Sequence, residues 1–177
     1  MIEASVLALS TNVAVAGITA LVTAAGTQLV ARVQAVNDRR RVRYSQAVQT
    51  LVGWVEFPYR VRRRVDDAPG TLASLANLGH DLQERLAGDR AWIESENRHV
   101  ADRYRQVHAA IGKLVGSAVK EAWRTAPVSG AEDMVLGEWG PSVAATPWLE
   151  GLQGTVSWRF RWQHWWRKPP KILVVQV

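Results

Sequence analysis

Apolar positions follow three regimes along this 177-residue chain. Residues 4–31 carry no charge at all. About 20 predominantly apolar residues are enough for a helix to cross the hydrocarbon core. The stretch Val6–Val30 is long enough, although Ser10, Asn12, Thr19, Thr23, Thr27 and Gln28 dilute it. It predicts an N-terminal transmembrane helix at residues 1–31. A buried helix of a soluble bundle is the competing reading. A signal peptide fits less well, because the start is Met-Ile-Glu rather than basic and the run is long. Small residues Ala16, Ala20 and Ala24 share one face, the pattern that lets helices approach closely in lipid, and mark a self-association surface.

The second regime is helical periodicity. Val48, Leu51, Val52 and Val55 form an apolar stripe, and Pro58 predicts the end of that helix. Asp66 to Gly70 reads as a turn. Leu72, Leu75, Leu78, Leu82 and Leu86 recur at 3–4 spacing up to Gly88, and Asp89 reads as the N-cap of a further helix over about 90–123. There Val100, Tyr104, Val107, Ile111, Leu114 and Ala118 alternate in steps of 4 and 3, a coiled-coil-like seam. The fold class is therefore mainly α: a transmembrane helix, then a cytoplasmic helical hairpin or three-helix bundle. The residual seam must meet the 44–57 helix or another chain, so Val100, Tyr104, Val107, Ile111 and Leu114 join the self-association residues.

The third regime begins after Trp123. Residues 127–157 are rich in Gly and Pro, hold four acids and no Lys or Arg, and read as an irregular acidic linker with Trp139 and Trp148 as anchors. From Trp158 onward aromatic and basic residues alternate. This reads as an irregular tail or, with Ile172–Val177 returning, a short β-hairpin. The resulting organisation is an anchor (1–31), a basic juxtamembrane helix (32–64), a helical body (65–126), the linker (127–157) and the tail (158–177).

Charge sharpens this picture. The formal total is +6. Nine Arg against Asp38 and Glu56 make residues 32–64 strongly basic, while the body is almost neutral. Arg following an uncharged span predicts an inner-membrane protein with its N-terminus out and its body cytoplasmic. Arg39, Arg40, Arg41, Arg43, Arg62, Arg63 and Arg64, with Trp54, then face anionic lipid headgroups. Trp158, Arg159, Arg161, Trp162, Trp165 and Trp166 form a second candidate interface segment. Two alternatives share that chemistry: Trp side chains as the core of a small subdomain, and bases stacking on indoles. Lipid is the favoured partner, with a protein partner or a second copy, and nucleic acid is disfavoured.

Catalytic signals are sparse. The absence of Cys excludes disulfides, thiolate metal sites and cysteine nucleophiles. Glu96 and His99 are spaced like half of a di-iron element, but no second copy exists. His99 and His108 fall on opposite helix faces, and each reads as an ordinary surface side chain. No phosphate-cradling or nucleophile-elbow motif occurs. The sequence thus predicts no cofactor, no metal and no catalysis, but a membrane-bound scaffold, adaptor or accessory subunit. The alternatives are a membrane-active effector and a membrane-tethered nucleic-acid-binding protein.

Overall fold

The computed structural model describes the backbone of residues 2–161 and the side chains of residues 28 and 30–161. The protein is mainly α, with a packed four-helix body and no strand among the described residues. The helices are α1 (Ile2–Arg62), α2 (Pro69–Glu96), α3 (Arg98–Arg124) and α4 (Ser142–Arg159), with one 3-10 turn at Glu132–Met134. The chain divides into two units, Met1–Val42 and Arg43–Val177. Among the described residues no helix is long and apolar enough to cross a membrane. The candidate span lies outside them in its side chains, as do Ala16, Ala20 and Ala24 and the residues of the expected hairpin after Arg161.

Helix α1 does not stop at Pro58, contrary to the expectation. Proline removes one helical hydrogen bond. That loss is offset by burial on both sides of it: Phe57 and Val61 enter a small core with Leu82 and Ala122, and Pro58 is itself fully buried. The buried face of α1 is Tyr44, Ala47, Leu51 and Val55, in steps of 3, 4 and 4. Val52, expected in the stripe, is exposed. The true face is rotated because Tyr44 and Ala47 supply the first turn of the stripe and Val52 falls outside it.

Helix α2 continues through Gly88 and Asp89, so the expected break there is wrong. A mid-helix Gly costs only about 1 kcal/mol, and the apolar face continues past it: Leu82, Leu86, Asp89 and Ile93 are buried in steps of 4, 3 and 4. The break falls at Asn97, whose backbone is extended and whose side chain accepts hydrogen bonds from the His99 and Val100 amides. Two orphan donors of α3 are thereby satisfied. Asn97 also donates its own amide to Ile93, closing α2.

Helix α3 is the centre of the body. It buries Val100, Ala101, Tyr104, Val107, Ile111, Val115, Ala118 and Ala122 against α1, α2 and α4. Leu114 sits beside this face, half-buried, because Val115 takes the central position.

The segment expected to be irregular up to residue 157 is helical from Ser142 onward. Residues 142–159 form α4, which seats Ala145 and Leu152 in the main core, with Trp148, Leu149 and Val156 alongside. Pro147, Gly151 and Gly154 lower the intrinsic helix propensity, while Ala145, Trp148, Leu152 and Val156 keep a 3–4 spacing that packing exploits. The strand reading of Trp158 and Phe160 is also corrected: Trp158 and Arg159 end α4 and Phe160 closes it as a turn. Packing prevails over the alternation, since Phe160 lies edge-on to Tyr44 at 5.9 Å.

Candidate functional site

The first arginine group lies along α1. Arg39, Arg41 and Arg43 are exposed and Arg40 is half-buried. Arg41 is 3.7 Å from Asp38 across one turn, with both side chains well exposed. Such a surface pair contributes little to stability. Arg43 donates to Gln46 Oε1 at 3.3 Å, and its guanidinium lies 5.4 Å from the Trp92 ring centroid.

The second arginine group divides. Arg63 is exposed and donates to the Met134 carbonyl at 3.1 Å. Arg62 lies over Trp139, 5.8 Å from its ring centroid. Arg64 is only 5% exposed, which overturns its reading as a lipid contact. Its Nε donates to Asp67 at 2.6 Å. Its Nη1 donates to the Val61 and Ala122 carbonyls at 3.2 and 2.9 Å, and its Nη2 to the Thr125 carbonyl at 2.6 Å. The last carbonyls of a helix lack intrahelical donors. A guanidinium presents a planar fork of donors, so one side chain serves the C-terminal ends of both α1 and α3. Its own carbonyl accepts from the Val128 amide at 2.9 Å. Trp123 covers the guanidinium at 5.4 Å.

Trp54 is likewise drawn into the fold rather than left for headgroups. Its indole stacks on His108 at 4.9 Å and packs beside the main core. A methyl group at Gly112 would meet it at 3.0 Å, so the glycine permits this close approach. Trp158 is half-buried with His99 edge-on at 6.4 Å, and Arg159 lies 3.9 Å from Glu96. Arg161 is exposed, while Trp162, Trp165 and Trp166 lie outside the described residues.

The seam assigned to self-association is used within the chain. Val100, Tyr104, Val107 and Ile111 are fully buried, because α1, α2 and α4 together cover the face that one short helix could not. They offer no surface to a second copy.

Two clefts flank α2, and the sequence reading found neither. One, of about 540 Å³, runs between α1 and α2 and includes Arg43, Arg60, Arg85, Leu82 and Asp89 among its lining residues. The other, of about 510 Å³, includes Trp54, Leu86, Arg90, Glu94 and His108. The residues were visible, but Asp89 resembled a helix cap and His108 a surface side chain. What brings them to clefts is the continuation of α2 through Gly88. Among the described residues no group of three His, Asp or Glu side chains is placed to hold a metal ion.

His108 is half-buried, not an ordinary surface group. Burial first, and then the charge of Arg90, hold its imidazole pKa below the ordinary 6.5. The unfolded chain therefore binds this proton more readily than the folded one. Stability is full above pH 6.5 and falls as the pH drops from there toward the folded-state value. Urea titrations between pH 7.5 and 5 should show that loss, and His108→Asn should flatten it. An unchanged slope in the variant would assign the acid sensitivity elsewhere. Asp66 and Asp133, each held below 3.8 by hydrogen bonds, act only at lower pH.

Comparison with protein-family models, curated proteins and solved structures gives no match.

Proposed function

We propose that this chain is a single-pass membrane-anchored helical protein whose body acts without catalysis, as a scaffold, adaptor or accessory subunit at the inner leaflet. The observation that carries the reading is the 28-residue uncharged stretch at residues 4–31, followed by Arg32, Arg39, Arg40, Arg41 and Arg43. Uncharged helix followed by Arg is the arrangement that stops translocation and holds the following residues on the cytoplasmic side. Basic residues close to an anionic surface contribute about 1 kcal/mol each. The exposed Arg39, Arg41 and Arg43 suit that role; Arg64 and Trp54 do not. Ala16, Ala20 and Ala24 are the proposed contact between anchors of a homo-oligomer. Arg161, Trp162, Trp165 and Trp166 are a second segment suited to the interface.

Alkaline carbonate extraction tests the anchor. The protein should remain in the membrane pellet, and a protease should remove a C-terminal tag only from inverted vesicles. Release into the supernatant at high pH would defeat the reading. A version with Val15→Lys and Leu21→Lys should be released, since each charge at the centre of a span costs about 3 kcal/mol on insertion scales.

A further inference from the structure

We propose that the cleft between α1 and α2 binds a phosphate ester carrying a primary ammonium group, the chemistry of phosphoethanolamine, supplied as a lipid headgroup or as a free small molecule. The inference does not depend on how the N-terminal segment is anchored.

One wall of the cleft is a single line on α2: Leu78, Leu82, Arg85 and Asp89, in steps of 4, 3 and 4. Residues at that spacing share a helix face. The line therefore passes from apolar to cationic to anionic. The facing wall on α1 carries no acid among its lining residues, and Arg60 lines it on the Leu78 side. Gly53 stands opposite Leu82, where an added methyl would be 3.4 Å from the leucine side chain. Thr50, Gln46 and Arg43 continue beyond it.

The charges in the polar half are not matched to each other. Asp89 is only 7% exposed, and among the described residues its Oδ2 has no hydrogen-bond partner. Among the described residues no cation pairs with it, although Arg85 stands one turn away. Arg85 is exposed and has no ion pair among the described residues either. Arg43 contacts Gln46 and the Trp92 ring, and has no ion pair among the described residues. A buried carboxylate without a donor is costly, and a ligand N–H group would relieve it. A guanidinium is best satisfied by a planar or forked oxyanion.

Those two needs select the ligand. A bare phosphate would meet Arg43 and Arg85 but bring a negative charge against Asp89. A bare amine would meet Asp89 but be repelled by the arginines. A ligand holding both groups satisfies both. One helical turn, about 6 Å along the axis, separates Arg85 from Asp89. A phosphate and an amine joined by a two-carbon spacer reach across that distance. Leu78, Leu82 and Gly53 then offer an apolar surface for whatever the phosphate is esterified to. The size of the cleft lies within the range of small-molecule sites.

The full chain, purified in a phosphate-free maltoside detergent, is titrated calorimetrically with three probes: O-phosphoethanolamine, dihexanoyl phosphatidylethanolamine and dihexanoyl phosphatidylcholine. The choline headgroup keeps the phosphate and the positive charge but has no N–H to donate. At least a ten-fold preference for the ethanolamine lipid over the choline lipid is expected. Arg85→Gln should weaken the preferred ligand at least ten-fold, and Asp89→Asn should abolish the preference. If only the lipid binds, the source is a headgroup; if the free phosphoethanolamine binds as well as the lipid, the source is a small molecule. Equal binding of the two lipids, no binding of any probe, or wild-type binding by Arg85→Gln overturns the proposal. Arg85 is exposed, so its variant keeps the test decisive even if Asp89→Asn fails to fold.

Discussion

Arg64→Met should destabilise the body by about 4 kcal/mol, the range seen when a buried, hydrogen-bonded charge is removed and its partners stay behind. The carbonyls of Ala122 and Thr125 would lose their side-chain donor at a helix end that has few alternatives. Asp67 would suffer less, because its side chain is half in solvent. For a domain of this size the loss corresponds to a fall of about 12 °C in melting temperature. Arg64→Lys should recover less than half of it, since an ammonium cannot present the planar fork that reaches both helix ends. Arg39→Gln and Arg63→Gln, on exposed side chains, should each cost less than about 0.5 kcal/mol. Thermal and urea unfolding followed by circular dichroism would read all four. A melting temperature for Arg64→Met within 2–3 °C of wild type, equivalent to about 1 kcal/mol, would show that Arg64 is only an incidental occupant of its site.

Gly140→Ala should cost about 3 kcal/mol, for two reasons that can be separated. Its φ of +110° lies where side chains other than hydrogen are strained. Any Cβ there would also overlap the ring of Tyr59. That ring cannot retreat freely, because the Tyr59 hydroxyl pairs with Ser142 Oγ at 2.7 Å and Trp139 lies edge-on at 5.5 Å. Trp139 in turn donates to Glu121 on α3 at 2.8 Å. The damage should therefore concentrate on the attachment of α4, and hydrogen exchange should quicken at Ala145–Leu152 before it does at Val100–Ile111. In the Tyr59→Ala background the overlap is gone, so Gly140→Ala should cost only its backbone strain. A double-mutant cycle with no coupling would remove the steric half of the argument.

The legible part of the fold was what periodicity can encode. The leucine line on α2 and the seam on α3 were readable because each repeats a 3–4 spacing over several turns. Helix α4 was missed although Ala145, Trp148, Leu152 and Val156 carry the same spacing, because Pro147 and two glycines dominate any local estimate. Pro58 and Gly88 misled for the same reason: each breaks an isolated helix, but here burial of Phe57, Val61, Leu86 and Ile93 outweighs the local cost. The candidate sites were harder still. Whether an arginine meets solvent or a pair of helix ends depends on what lies sixty residues away, and Arg64 has the same sequence neighbourhood as Arg63. Likewise, nothing beside Asp89 in the sequence distinguishes a helix cap from a carboxylate held at the edge of a cleft.

The joint at Asn97 has a mechanical consequence. A single non-helical residue connects α2 to α3, so the rotational phase of α3 is inherited directly from α2. One added residue would turn α3 by about 100° about its axis, swinging Tyr104 and Ile111 toward solvent and Arg103 and Lys113 toward the core. The turn is a phase lock rather than a tether, and an added residue should be tolerated far better in the irregular stretch at 125–141, which is long enough to absorb it without resetting the helix that follows.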